Sequence, residues 1–259
     1  MENQKQAISD MKRLAPSNIR SFVIAGPKGC GKTYLARMLS DMRKCEDFIY
    51  VDAKMQDIRD VMYNTETDSA YAICIENLDT AVPAVSQAIL KYVESPKPNV
   101  TVIITCRRFD LVPDTIRSRC AVIEVSPMEK SDIAAYAEKK YPEAYQRIYS
   151  KPDIWSAVQS VSDVEWLQKL SDKQLEYIQQ LYGSLVSASP INTITWKLSK
   201  FPDGSAVDSD FAVRYLMSVA KSPKVKTVLR LCLDDMDSRV PAHAALSNAV
   251  MIIKYGGIV

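Results

Sequence analysis

The string Gly26-Pro27-Lys28-Gly29-Cys30-Gly31-Lys32-Thr33 satisfies every fixed position of G-x-x-x-x-G-K-[ST], a pattern that demands a strand, a glycine turn and a helix start in succession. The chain has only seven glycines and three of them fall here. Composition alone would place such a string in a chain of this length with a frequency on the order of 10⁻³. The flanks agree with the pattern. Ser21-Phe22-Val23-Ile24-Ala25 is a short apolar run of strand character, and Leu35, Met38, Leu39 and Met42 recur at helical spacing after the loop. Backbone amides of residues 29 to 33 are then expected to converge on phosphate at a helix N-terminus, where unsatisfied N–H groups and the helix dipole both favour negative charge. The expected ligand of residues Gly26, Pro27, Lys28, Gly29, Cys30, Gly31, Lys32 and Thr33 is ATP. Lys32 is assigned to the β and γ phosphates and the Thr33 hydroxyl to Mg²⁺.

Between Ser21 and Val125 short β-rich runs alternate with helical periods, with strands expected near 21–25, 47–51, 70–75, 100–105 and 120–125. Such alternation predicts an α/β fold with a five-stranded parallel sheet covered by helices on both faces. The helix near 83–94 is expected to present Val82, Val85, Ala88, Ile89, Tyr92 and Val93 on one face, with Pro83 in its first turn and Pro96 beyond its end. After about Pro127 strands disappear. Ser131 is read as the cap of a helix, Pro142 and Pro152 divide the next stretch into short helices, and apolar stripes continue to Ile253. The division expected is 1–127 for a nucleotide-binding domain, 128–162 for a small helical lid and 163–259 for an all-α domain.

Charge does not select a partner, because 33 basic residues nearly balance 31 acidic ones. Six cysteines without a C-x-x-C pair, and a single histidine, read as reduced thiols in a cytoplasmic protein without a zinc site. No apolar run is long enough to cross a bilayer, and the polar start of the chain does not look like a signal peptide.

A phosphate loop needs an acidic strand end to hold the metal, and Tyr71-Ala72-Ile73-Cys74-Ile75-Glu76-Asn77 supplies one. Glu76 is the candidate second Mg²⁺ ligand. The next position usually carries a carboxylate that activates water; here it is Asn77, and an amide cannot accept that proton. Nucleotide binding is expected to survive this change, with slow hydrolysis at the chain's own site, and Asp79 is a candidate substitute base. Thr105, at the end of the strand from Val100, is placed to sense the γ-phosphate. Arg107 and Arg108 are read as a solvated loop.

With these parts in order, Thr115-Ile116-Arg117-Ser118-Arg119-Cys120 resembles the Ser-Arg-Cys motif of DNA polymerase clamp-loader subunits of the AAA+ class. Ala88-Ile89-Leu90-Lys91-Tyr92-Val93-Glu94-Ser95-Pro96 resembles that family's A-L-L-K-x-L-E-E-P helix end, and Asp57-Ile58-Arg59 its D-I-R run. The resemblance spans about residues 4–127 in specific motifs, and beyond them only the plan of a helical lid and collar. It implies that Arg119 acts as an arginine finger in a neighbouring subunit's nucleotide site, so that the catalytic set is Lys32, Glu76, Asn77, Thr105 and Arg119. It also implies partners: other loader subunits in a hetero- or homo-oligomer, pentameric in the family, a sliding clamp and primer-template DNA. The chain departs from the family by lacking the four-cysteine zinc module, the N-terminal Tyr-Arg-Pro segment and a lid arginine. Those departures, with Asn77, suggest a delta-prime-like subunit that donates Arg119, or the ATPase subunit of a phage-type replisome. An AAA+ helicase loader or initiator is the further alternative.

Overall fold

In the computed structural model the described residues are 4–54, 56, 58, 61, 69–187, 189–238 and 240–256. They divide into two compact units, Met1–Glu129 and Lys130–Val259. Asp57 and Arg59 of the D-I-R run lie outside the described residues.

The first unit is built on five parallel strands: β1 (Ser21–Ala25), β2 (Asp47–Asp52), β3 (Tyr71–Glu76), β4 (Val100–Cys106) and β5 (Ala121–Glu124), in the order β2-β3-β4-β1-β5. Alternate residues of the inner strands point to opposite faces, so both faces must be apolar and both must be covered. On one face Val23, Ile73, Ile75, Val102 and Ile104 pack with Val85, Ile89 and Val93 of the helix Pro83–Glu94. On the other, Phe22, Ile24, Ala72, Cys74 and Ile103 pack with Ala7 and Met11 of the helix α1 (Lys5–Leu14) and with Leu35 and Leu39 of α2 (Lys32–Met42). β1 is flanked by β4 and β5, neither its neighbour in sequence. The crevice beyond the carboxyl end of a strand at such a switch point is where doubly wound sheets bind ligands.

Two details of helix patterning differ from the sequence reading. Val82 is not on the buried face of Pro83–Glu94: it is the residue before the helix, in extended backbone and 61% exposed, while Ser86 is buried in the stripe. The helix assigned to a Ser131 cap starts one residue earlier, at Lys130, so Ser131 lies inside it.

The second unit is helical. Pro142 and Pro152 open the short helices Pro142–Tyr149 and Pro152–Ala157, where a missing N–H costs nothing. Ser160 and Ser171 then start Val161–Leu167 and Asp172–Val186 through complete capping boxes with Asp163 and Gln174. Four further helices follow: Ile191–Ser199, Ser209–Val219, Pro223–Asp237 and Ala242–Tyr255, the last burying Ala245, Leu246, Ala249, Val250 and Ile253 along one stripe. The charged centre of this unit is Arg214, only 7% exposed. It donates to Asp163 Oδ1 at 2.8 Å and Oδ2 at 2.9 Å, to Asp210 Oδ2 at 2.7 Å and to the carbonyl of Ala157 at 2.7 Å. Burial alone would lower the guanidinium's proton affinity; the two carboxylates overcome that and raise it. Among the described residues, no helix is long and apolar enough to cross a membrane.

Candidate nucleotide site

The loop leaving β1 is held from both sides. The Gly26 amide donates to the Cys106 carbonyl at 3.1 Å, and the Val125 amide to the Ala25 carbonyl at 2.7 Å. Gly26 is required by close approach, since a Cβ there would lie 2.4 Å from the Val125 carbonyl oxygen. Gly29 and Gly31 have φ of 72° and 91°, the left-handed backbone that turns the loop into α2. A buried side chain from the chain's start also reaches in: Gln4 Nε2 donates to the Cys30 carbonyl at 2.8 Å and the Ser126 carbonyl at 3.3 Å.

Lys32 is the first residue of α2, and its ammonium donates to the carbonyls of Gly26 and Pro27, each at 2.8 Å. Burial lowers its proton affinity, and the positive charge of Arg107 adds to that effect. An ammonium so placed gains from an arriving phosphate, whose negative charge favours the protonated form.

The Thr33 hydroxyl donates to Glu76 Oε1, bringing the two expected metal ligands into direct contact across the ends of α2 and β3. Two hard oxygen donors on one spot, with room on the exposed side of Thr33, match a cation such as Mg²⁺, which keeps several waters and takes few protein ligands. Bound there, the ion would neutralise charge on the phosphate oxygens. The other carboxylate oxygen, Glu76 Oε2, accepts from the hydroxyl of Tyr50 on β2.

Asn77 has φ 55° and ψ 42°, a left-handed conformation that asparagine tolerates better than most residues, and it starts the short turn Leu78–Thr80. Its amide donates to Thr105 Oγ1 at 3.4 Å, joining the ends of β3 and β4. Thr105 is 1% exposed. The structure therefore brings together the 26–33 loop, the pair Thr33–Glu76 and the pair Asn77–Thr105. Arg119 has other contacts: its guanidinium donates to the Thr115 carbonyl at 2.9 Å and Ser118 Oγ at 3.2 Å, and pairs with Glu94 at 3.5 Å.

Three site features were missed or misread in the sequence. Asp79 is 0% exposed, and its Oδ2 accepts the amides of Arg107 and Arg108, both at 3.1 Å. It anchors the loop after β4 and is not an open base. Correspondingly, Arg107 and Arg108 are half-buried on a tethered loop and not simply solvated. Tyr50 was passed over because a lone tyrosine in an edge strand carries no motif; only strand register, which sets Tyr50 beside Cys74 and two residues from the level of Glu76, could have found it.

Residues 22–128 match the family described as "ATPase family associated with various cellular activities (AAA)". Within the first unit, the segment that carries the loop and the sheet is similar to that family. The matched segment spans the loop, the acidic strand end and the Thr105 strand. Among curated proteins the chain is similar to DNA polymerase III subunit gamma of Buchnera aphidicola subsp. Schizaphis graminum, at 25% identity over 144 residues. That alignment covers 44% of this chain and 40% of the relative's length. Among solved structures, a RuvB variant from Thermotoga maritima superposes with a TM-score of 0.52 at 13% identity, over 86% of this chain and 89% of that one, which bears on the fold. A DNA polymerase III gamma subunit-related protein from the same organism superposes with a TM-score of 0.47 at 14% identity, over 95% of this chain and 98% of that one.

Proposed function

We propose that this chain is a subunit of a DNA polymerase sliding-clamp loader that binds ATP with Mg²⁺ and helps to open the clamp and place it on primer-template DNA. In this reading the 26–33 loop and Lys32 hold the phosphates, Thr33 and Glu76 hold the metal, and Thr105 senses the γ-phosphate. Asn77 leaves the chain's own site without the usual water-activating carboxylate. Residues 128–162 serve as a lid and 163–259 as a collar that joins the chain to other loader subunits in a cytoplasmic pentamer.

The observation that carries the proposal is the Ser118-Arg119-Cys120 turn in a chain whose own phosphate loop is intact. Arg119 lies two residues beyond a short helix, Asp114–Arg117, just before β5, and its side chain is 36% exposed. A guanidinium presented there can stabilise charge developing on a neighbouring subunit's γ-phosphate, and an interface that excludes water strengthens that interaction. ATP contacted by two subunits would favour the assembled, clamp-gripping state, and hydrolysis would remove the bridge.

Calorimetry and ATPase assays on the chain alone and within its reconstituted assembly test this reading. Lys32→Ala is expected to abolish ATP uptake by the chain. Arg119→Ala is expected to leave that uptake intact and to slow assembly turnover by about 10³-fold or more, the scale of arginine fingers elsewhere. The delta-prime-like alternative rests on Asn77, and it predicts that Lys32→Ala leaves assembly turnover unchanged while Arg119→Ala removes it. Absence of ATP uptake by both chain and assembly would overturn either form.

A further inference from the structure

Glu76 has a flexible side chain, whose torsions must be fixed before its carboxylate can meet a metal at a set place. The structure fixes it at both oxygens: Oε1 accepts from Thr33 at the start of α2, and Oε2 from Tyr50 on β2. Tyr50 is not held there by the core, being 54% exposed, with the edge strand leaving its ring open to solvent. Its reach follows from register. Tyr50 pairs with Cys74 and Asp52 with Glu76, so the side chains of Tyr50 and Glu76 share one sheet face, two residues apart along the strand direction. A tyrosine spans that offset.

We infer that Tyr50 is a positioning residue for the nucleotide-bound metal, orienting Glu76 so that Oε1 alone faces the cation beside Thr33. This rests on the nucleotide and metal reading above. A hydrogen bond to Oε2 withdraws charge from that oxygen and engages it, so that Glu76 would offer Oε1 to the cation.

The test is the Mg²⁺ dependence of ATP binding by the isolated full chain, measured by calorimetry in EDTA and across a Mg²⁺ titration, for wild type, Tyr50→Phe and Glu76→Ala. Tyr50→Phe keeps the ring and removes only the hydroxyl, so circular dichroism melting should be unchanged. Affinity in EDTA is expected to equal wild type, while the Mg²⁺ concentration for half-maximal enhancement rises about tenfold, the lower end of what loss of a metal's supporting hydrogen bonds produces. A merely structural tyrosine would change neither or both. An unchanged Mg²⁺ midpoint in Tyr50→Phe, with Glu76→Ala losing the enhancement, sinks the role of Tyr50 and leaves the metal site standing. A wild-type protein whose ATP affinity ignores Mg²⁺ overturns the metal site and this inference together.

Discussion

Asp79 carries more of the site's geometry than its place in the sequence suggests. With one carboxylate oxygen receiving the amides of Arg107 and Arg108, it fixes the path of the chain as it leaves β4 just beyond Thr105. Replacing it by alanine leaves those amides without that acceptor, at a cost of about 1–3 kcal/mol in unfolding free energy by urea titration. Gly26→Ala acts by crowding: the new methyl meets the Val125 carbonyl oxygen at 2.4 Å, backbone that cannot step aside cheaply. A loss of about 1–3 kcal/mol is expected there as well, read as a lower melting temperature. The thiols give a pH signature. Burial pushes Cys74, Cys106 and Cys120 from 9.0 up to about 12, and Cys232 to about 11. Because the folded state keeps these protons after the unfolded state has lost them, their contribution is whole below pH 9 and is lost as the pH rises towards 11 to 12. Thiolate absorbance at 240 nm in native protein at pH 10 should therefore fall well short of that of urea-unfolded protein.

Elements were legible where one force dominated. The five strands and the helix at 83–94 could be read because apolar runs and proline punctuation agree with burial on both sheet faces. Val82 was misplaced because helical spacing counts it in the stripe, whereas the chain is still extended there. Ser86 was omitted because a hydroxyl carries no apolar signal, although it packs inside. The motif positions Lys32, Thr33, Glu76 and Thr105 were legible because phosphate chemistry restricts residue type. Tyr50, Asp79 and Gln4 were not, since their value arises only when segments far apart in sequence come together. The same blindness applies to Arg214, which reads as one arginine in an apolar helix and proves to bind Asp210 of its own helix together with Asp163 and the Ala157 carbonyl from two others. Asp163→Ala removes a carboxylate that also caps its own helix, and about 3–5 kcal/mol of unfolding free energy is expected to go with it in urea titration. The double change Asp163→Ala with Arg214→Met should recover part of that loss, because no buried charge is then left alone.

For the molecule as a whole, the two units divide the spectroscopic labels between them. Trp155, Trp166 and Trp196 all lie after Glu129, so indole emission follows residues 130–259 and is silent for residues 1–129. A chain of two units need not unfold in one step. ATP with Mg²⁺ at about a hundredfold above its dissociation constant should add about 2.7 kcal/mol to whichever unit binds it. The expected result is a calorimetric transition that rises with nucleotide while the tryptophan-detected one stays in place. If only the tryptophan-detected transition moved, the ligand would be bound by residues 130–259. The contact of Gln4 with Cys30 and Ser126 bears on how such material is made. Cutting the chain back beyond the fourth residue strips two carbonyls of their shared amide donor. Nucleotide titrations on protein trimmed past Gln4 would measure a slackened loop.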